Sequence, residues 1–76
     1  MTEFEFFAEY ELVPSVTVPD SVLHVRRRNG GEYGTLHLIS GEFSVRVLTG
    51  DNVNRYAGAR RSFAGAFKLL REQIIP

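Results

Sequence analysis

Residues 21–48 read SVLHVRRRNGGEYGTLHLISGEFSVRVL, and the way this stretch alternates decides the fold. Leu23 and Val25 share one side of an extended Ser21–Arg28 segment, with His24, Arg26 and Arg28 on the other. Asn29-Gly30-Gly31 then supplies residues that tolerate positive φ, which tight hairpin turns require. A strand over Tyr33–Ile39 turns Gly34, Leu36 and Leu38 inward, and Ser40-Gly41 offers a second turn. The next strand, Glu42–Leu48, turns Phe43, Val45 and Val47 inward. Period two with turn residues at both breaks predicts a three-stranded antiparallel meander, apolar on one face and polar on the other.

Working outward, residues 3–13 also alternate. Phe4, Phe6, Ala8, Tyr10 and Leu12 face one way, and Glu3, Glu5, Phe7, Glu9 and Glu11 the other. This pattern predicts a long first strand, joined to the meander through the loop that Pro14 and Pro19 bracket. Thr49–Asn54 reads as a polar loop rich in helix-capping residues. Beyond it Tyr56, Ala59, Phe63, Ala66, Phe67, Leu70 and Ile74 recur at helical spacing on one stripe. The expected architecture is α+β: a four-stranded antiparallel sheet followed by one C-terminal helix packed on one face, a β-β-β-β-α two-layer sandwich. Residues 1–76 form a single small domain in this reading.

Composition narrows the function classes. The chain has 76 residues, no cysteine and no tryptophan, so disulfides, thiolate zinc sites and a cysteine nucleophile are excluded. Six phenylalanines and three tyrosines within a 43% hydrophobic composition argue against intrinsic disorder. No apolar run reaches the length of a membrane span, and Met1-Thr2-Glu3 does not open a signal peptide, so a cytoplasmic protein that does not insert in membranes is expected. A phosphate loop is absent: Gly30-Gly31-Glu32-Tyr33-Gly34 lacks the Lys-Ser/Thr ending. There is no Gly-x-Ser-x-Gly elbow either. His24 and His37 alone make too few ligands for zinc. No catalytic residue, metal ligand or cofactor site is assigned, and an enzyme is not expected.

Charge is divided along the chain. Nine basic and nine acidic residues balance overall. Yet residues 1–20 carry Glu3, Glu5, Glu9, Glu11 and Asp20 with no Lys or Arg, whereas residues 21–76 carry eight Arg and Lys68 against four acids. Two surfaces follow. The outer sheet face gathers His24, Arg26, Arg28, Tyr33, Thr35, His37, Ser44 and Arg46. If the first strand pairs beside the second, its glutamates neutralise this face as a cross-strand ladder. If it lies elsewhere, the arginines remain open to phosphate. Arg60, Arg61, Lys68 and Arg71 form the second surface, one flank of the expected helix. The hairpin register stays open between two turns: Asn29-Gly30 sets Arg27 opposite Glu32 and Arg26 opposite Tyr33, while Gly30-Gly31 sets His24 opposite His37.

The leading expectation is a non-enzymatic protein-interaction module that acts stoichiometrically as a small regulator or inhibitor, of the kind found among bacterial or phage accessory proteins. Its candidate contacts are Arg60, Arg61, Lys68, Arg71, Phe7 and Arg26. Self-association into a homodimer is a further expectation, because a core this small gains stability from it. The alternative is a nucleic-acid-binding domain that uses Arg26, Arg28, Arg46 and Tyr33, aided by the basic helix flank.

Overall fold

The computed structural model describes residues 1–48 and 53–74. The chain runs α1 (Glu3–Glu9), β1 (Tyr10–Pro14), β2 (Val22–Arg27), β3 (Glu32–Ile39), β4 (Glu42–Leu48), β5 (Asn54–Arg60) and α2 (Phe63–Gln73). The five strands form one antiparallel sheet in the order β1-β2-β3-β4-β5. Both helices lie on the same face: α2 rests on β4 and β5, and Phe6 of α1 meets Phe67 of α2 edge-on at 5.0 Å. The α+β class, the antiparallel sheet and the C-terminal helix on one face stand as expected. The sheet has five strands rather than four.

Two segments differ from their sequence reading. Residues 3–9 are helix, not the first half of a strand. Thr2 caps that helix: its hydroxyl accepts from the Glu5 N–H at 3.1 Å, and the Glu5 carboxylate accepts from the Thr2 N–H at 2.9 Å. This reciprocal box satisfies two donors that a helix start would otherwise leave open. The strand expectation survives only in Tyr10–Pro14. At the other end, residues 54–60 form the edge strand β5 instead of the start of the helix. Ser62 caps α2 by accepting from the Gly65 N–H at 3.0 Å. Gly58, at φ 139°, has a backbone conformation that a helix does not contain. Residues 49–52 of the expected polar loop lie outside the described residues.

The central hairpins follow the alternation closely. Ser40 (φ 51°) and Gly41 (φ 80°) both take left-handed conformations, as a two-residue turn of the primed type needs. Ile39 thereby faces Glu42, Leu38 faces Phe43, and Leu36 faces Val45. At the β2–β3 turn the Arg27 N–H donates to the Gly31 carbonyl at 2.6 Å, and Gly30 takes φ 102°. A bulge then leaves Tyr33 unmatched between Val25–Gly34 and Arg26–Glu32. Beyond the bulge the pairing is that of the Asn29-Gly30 register, with His24 opposite Thr35 and His37 opposite Val22. Next to the turn neither expected pairing holds, because Glu32 faces Arg26. A second bulge, between β4 and β5, leaves Ala57 unmatched.

The core lies between the sheet and the two helices. Phe6, Val25, Leu36, Val45, Ala66 and Leu70 are almost wholly buried. Tyr10, Val47, Phe67, Leu69 and Ile74 complete it. Phe6 is its aromatic hub: it stacks on Tyr10 at 5.2 Å and meets Phe7 and Phe67 edge-on, geometries that ring quadrupoles favour. Arg71 ties the two ends of the chain together. Its guanidinium lies 4.7 Å from the centre of the Phe67 ring, with Nη1 3.5 Å from the Met1 carbonyl and Nη2 4.0 Å from Glu3 Oε1.

The cap makes α1 responsive to acid. The Thr2 backbone N–H, and then its hydroxyl, hold the Glu5 carboxyl below the usual carboxylate range. A pKa depressed by folding contributes stability above the unfolded value, and that contribution is lost as the pH falls through the folded value. Acidification from neutral to about pH 3 is therefore expected to loosen the first turn of α1, read as a shift of the Thr2 amide resonance. Glu5→Gln, which preserves the box, should abolish the response. An unmoved Thr2 resonance in the native protein would show that the box does not form.

Candidate functional site

The outer sheet face holds His24, Arg26, Thr35, His37, Ser44 and Arg46, as the alternation implies, but two expected members leave it. Tyr33 is turned by the β2–β3 bulge onto the helix-covered side, where its ring meets Tyr10 at 5.4 Å. Burial there raises the Tyr33 hydroxyl above its usual pKa. Re-aiming a side chain is a common consequence of a bulge. Arg28 sits at the corner between sheet and α1. Its Nε donates to the Phe7 carbonyl at 2.7 Å, and Nη1 lies 3.9 Å from Glu11 Oε2.

Of the four glutamates expected to neutralise this face, only Glu11 reaches it. Acids nonetheless stand on both sides of Arg26. Arg26 is flanked in register by Glu11 on β1 and Glu32 on β3. Glu32 Oε1 also lies 3.2 Å from His24 Nδ1, without hydrogen-bond alignment. Arg46 is set differently, with its guanidinium 5.4 Å from the centre of the Tyr56 ring on β5. Thr35 and Tyr56 are its register neighbours. Two arginines against Glu11, Glu32 and Glu42 make a mixed polar face rather than a basic one. The residues Arg26, Arg28, Arg46 and Tyr33 therefore do not converge on one surface.

The basic set around the C-terminal helix is also rearranged. Arg60 ends β5, opposite Phe43, and Arg61 lies in the connection to α2. Lys68 is exposed on α2, whereas Arg71 is mostly buried against Phe67 and the N-terminus. Arg60, Arg61 and Lys68 remain exposed, the first two ahead of α2 and Lys68 midway along it. Phe7 belongs to that layer too, tilted against Phe67 at 5.5 Å. Arg26 is on the opposite side of the sheet, so the six expected contacts divide between two faces.

The most unusual surface is the outward side of α1. Helical spacing places Glu3, Phe4, Phe7 and Ala8 on one side and Phe6 alone on the buried side. Phe4 is 86% exposed and Phe7 42%. With Glu3 and Ala8 they line an open groove of about 420 Å³. A further groove along the other flank of Phe4 is lined by Met1, Glu5, Ala8, Glu9, Tyr10 and Ile74. The exposed aromatics are thus edged by Glu3, Glu5 and Glu9. On α2, Phe63 is 39% exposed and continues the row through ring contacts with Phe67 and Phe43. Phe4 was absent from the sequence-derived contacts because strand alternation assigns it to the core. The signal that finds it is Thr2-x-x-Glu5, a capping box that converts residues 3–9 from period two to period 3.6.

Among the described residues no three His, Asp or Glu side chains are grouped to hold a metal ion, and no helix is long and apolar enough to cross a membrane. No family model matches the chain, and neither a curated protein nor a solved structure matches it.

Proposed function

We propose that this chain is a non-enzymatic protein-interaction module acting in the cytoplasm, a stoichiometric regulator or inhibitor of a larger partner, with α1 as its docking element. The observation that carries this reading is Phe4. A phenylalanine left almost fully in water forgoes about 1.5–3 kcal/mol that burial would supply, and Phe7 and Ala8 extend the same apolar side. An exposed aromatic pair on a short helix fits the helix-in-groove mode of recognition, in which a few anchors enter pockets of the partner. The glutamate edges suit a groove bordered by Lys or Arg, since complementary charge steers and orients docking. Of the sequence-derived contacts, Phe7 is central to this surface, while Arg60, Arg61 and Lys68 are exposed at β5, the connection to α2 and α2 itself. Arg71 acts inside the fold.

Binding of nucleic acid is the second reading. It is favoured by the departure of Glu3, Glu5 and Glu9 from the outer sheet face and by Arg46 beside the exposed Tyr56, a pairing that suits base stacking. One comparison separates the two. In affinity capture from cell extract, Phe4→Ser is expected to lose a protein that the unaltered chain retains at equal stoichiometry, with little change in melting temperature. Arg46→Ala should retain it. If both variants capture the same proteins as the unaltered chain, α1 is not the docking element. If labelled DNA or RNA binds with steep salt dependence and Arg46→Ala abolishes it, the second reading replaces the first.

A further inference from the structure

α1 has seven residues, too few to stay helical in water unaided. The Thr2–Glu5 box closes its first turn. Its last turn holds no basic residue, and the chain leaves it in extended conformation at Tyr10. A helix end leaves up to four carbonyls without a donor of its own. The Tyr10 N–H donates to the first of them, on Phe6. Of the next three, two are met by one residue from far along the chain. The Arg28 backbone N–H donates to the Glu9 carbonyl at 2.9 Å, and Arg28 Nε donates to the Phe7 carbonyl at 2.7 Å. Arg28 is in turn placed by the β2–β3 hairpin, which closes with bonds of its own: Arg27 N–H to the Gly31 carbonyl and Gly30 N–H to the Arg27 carbonyl.

From this geometry we infer that Arg28 is the C-terminal cap of α1, supplied by the β2–β3 hairpin, and that it holds Phe4 and Phe7 in docking orientation before any partner engages. This role rests on the reading of α1 as the docking element and names the residue that positions it. The guanidinium meets the negative end of the helix dipole, where a cation is favoured. Its acceptor is the main chain of Phe7, so the bond fixes the residue whose ring leans on Phe67 at 5.5 Å. Arg71, through Met1 and Glu3, holds the opposite end of the helix. Two arginines distant in sequence thus present one short helix ready-formed. A segment that orders only on binding loses affinity to that ordering, and a preformed one does not.

Amide hydrogen exchange on the full chain, resolved by residue, tests this role, because exchange reports local opening. Arg28→Ala keeps the backbone bond to Glu9 and removes the one from Nε. It is expected to speed exchange of the amides of residues 6–10 about 10-fold or more, as loss of a charged donor does, while β3, β4 and α2 keep their rates. In the unaltered chain the Arg28 Nε–H signal should itself be protected from exchange with water, the mark of its bond to Phe7. Glu11→Gln is the control: it removes the contact of Glu11 with Arg28 Nη1 at 3.9 Å and should leave α1 unchanged. Unaltered α1 rates in Arg28→Ala overturn the inference, as does an unprotected Nε–H. A Glu11→Gln effect equal to that of Arg28→Ala overturns it too, since the ion pair would then be the operative contact. So does acceleration spread evenly over the sheet, which would make Arg28 a general support. Phe4→Ser leaves the cap in place, so loss of the docking reading and loss of the cap are seen separately.

Discussion

Phe6→Ala is expected to lose about 3–5 kcal/mol, the range for removing a wholly buried ring. Phe6 has no exposed surface, and its ring is the one that Phe7, Tyr10 and Phe67 all touch. Those neighbours come from α1, β1 and α2, so no single element can shift to fill the void. A chain of this length has a total stability of about 4–11 kcal/mol at typical per-residue values. The variant therefore keeps about three-quarters of its stability at best, and at the lower end of that range it does not stay folded. Because α1 is held by Phe6 and by the Arg71 contacts to Met1 and Glu3, it should detach first. Urea unfolding, followed by circular dichroism and by protection of the α1 amides, measures both effects. A loss under 1 kcal/mol would mean that α1 does not pack where described.

Gly34→Ala is expected to be as damaging, for a different reason. Gly34 lies on β3, opposite Val25 on one side and Val47 on the other. A Cβ there would collide with the Arg46 backbone carbonyl and press on the Val47 Cα at 3.1 Å. Those are main-chain atoms of the neighbouring strand, so no side-chain rotation relieves the contact. A loss of about 3 kcal/mol or more follows, above the ordinary range for an overpacked site. Gly41→Ala provides the comparison. It has open space around it but a φ of 80°, so only the left-handed backbone penalty of about 1–2 kcal/mol applies. If Gly34→Ala were no worse than Gly41→Ala, the pairing of β3 with β4 at this point would be wrong.

What could be read from the sequence depended on whether local pattern and tertiary demand agreed. They agreed in residues 34–48, where Leu36, Val45 and Val47 alternate inward and Ser40-Gly41 forms the turn that fixes register. They agreed again in Ala66, Phe67, Leu70 and Ile74, which lie buried at helical spacing. They conflicted in residues 3–9. Glu-Phe-Glu-Phe-Phe-Ala-Glu alternates well enough for a strand, and its phenylalanines have good strand propensity. Yet Thr2 and Glu5 close a cap that only a helix uses. The cap prevails, and the helix it starts buries Phe6 while β1 still begins at Tyr10. The same conflict recurs in residues 54–60. Tyr56 and Ala59 extend the helical stripe of α2 backwards, but Gly58 at positive φ and the Ser62 cap stop the helix at Phe63.

The candidate site was less legible than the fold because it arises from those two conflicts. Phe7 was recognisable as an interruption in a row of glutamates whichever structure the segment adopted. Phe4 was not, since its exposure follows only from the helix. The outer sheet face illustrates the reverse case. Its arginines were placed correctly at Arg26 and Arg46, and Glu11 beside Arg26 was among the expected acids, while the second acid, Glu32, is set there by the β2–β3 bulge. Nothing in the Arg26–Tyr33 segment specifies where that bulge falls.

The order of the strands has a kinetic meaning. Each strand neighbours the one before it in the chain, so the sheet can assemble from successive short closures, and such topologies fold quickly. The contact of α1 with α2 is different: it joins residues at opposite ends of the chain, and its loop-closure entropy is the largest in the molecule. That closure belongs late on the folding path, after the meander exists to receive both helices. It is correspondingly the first to open, and a chain whose α1 has lifted away still keeps its sheet. In that partly opened form Phe6 and Phe67 join Phe4 and Phe7 at the surface. The segment we propose as the docking element is also the segment whose release most enlarges its sticky area. Strong packing around Phe6 therefore protects the free chain from aggregation as well as from unfolding.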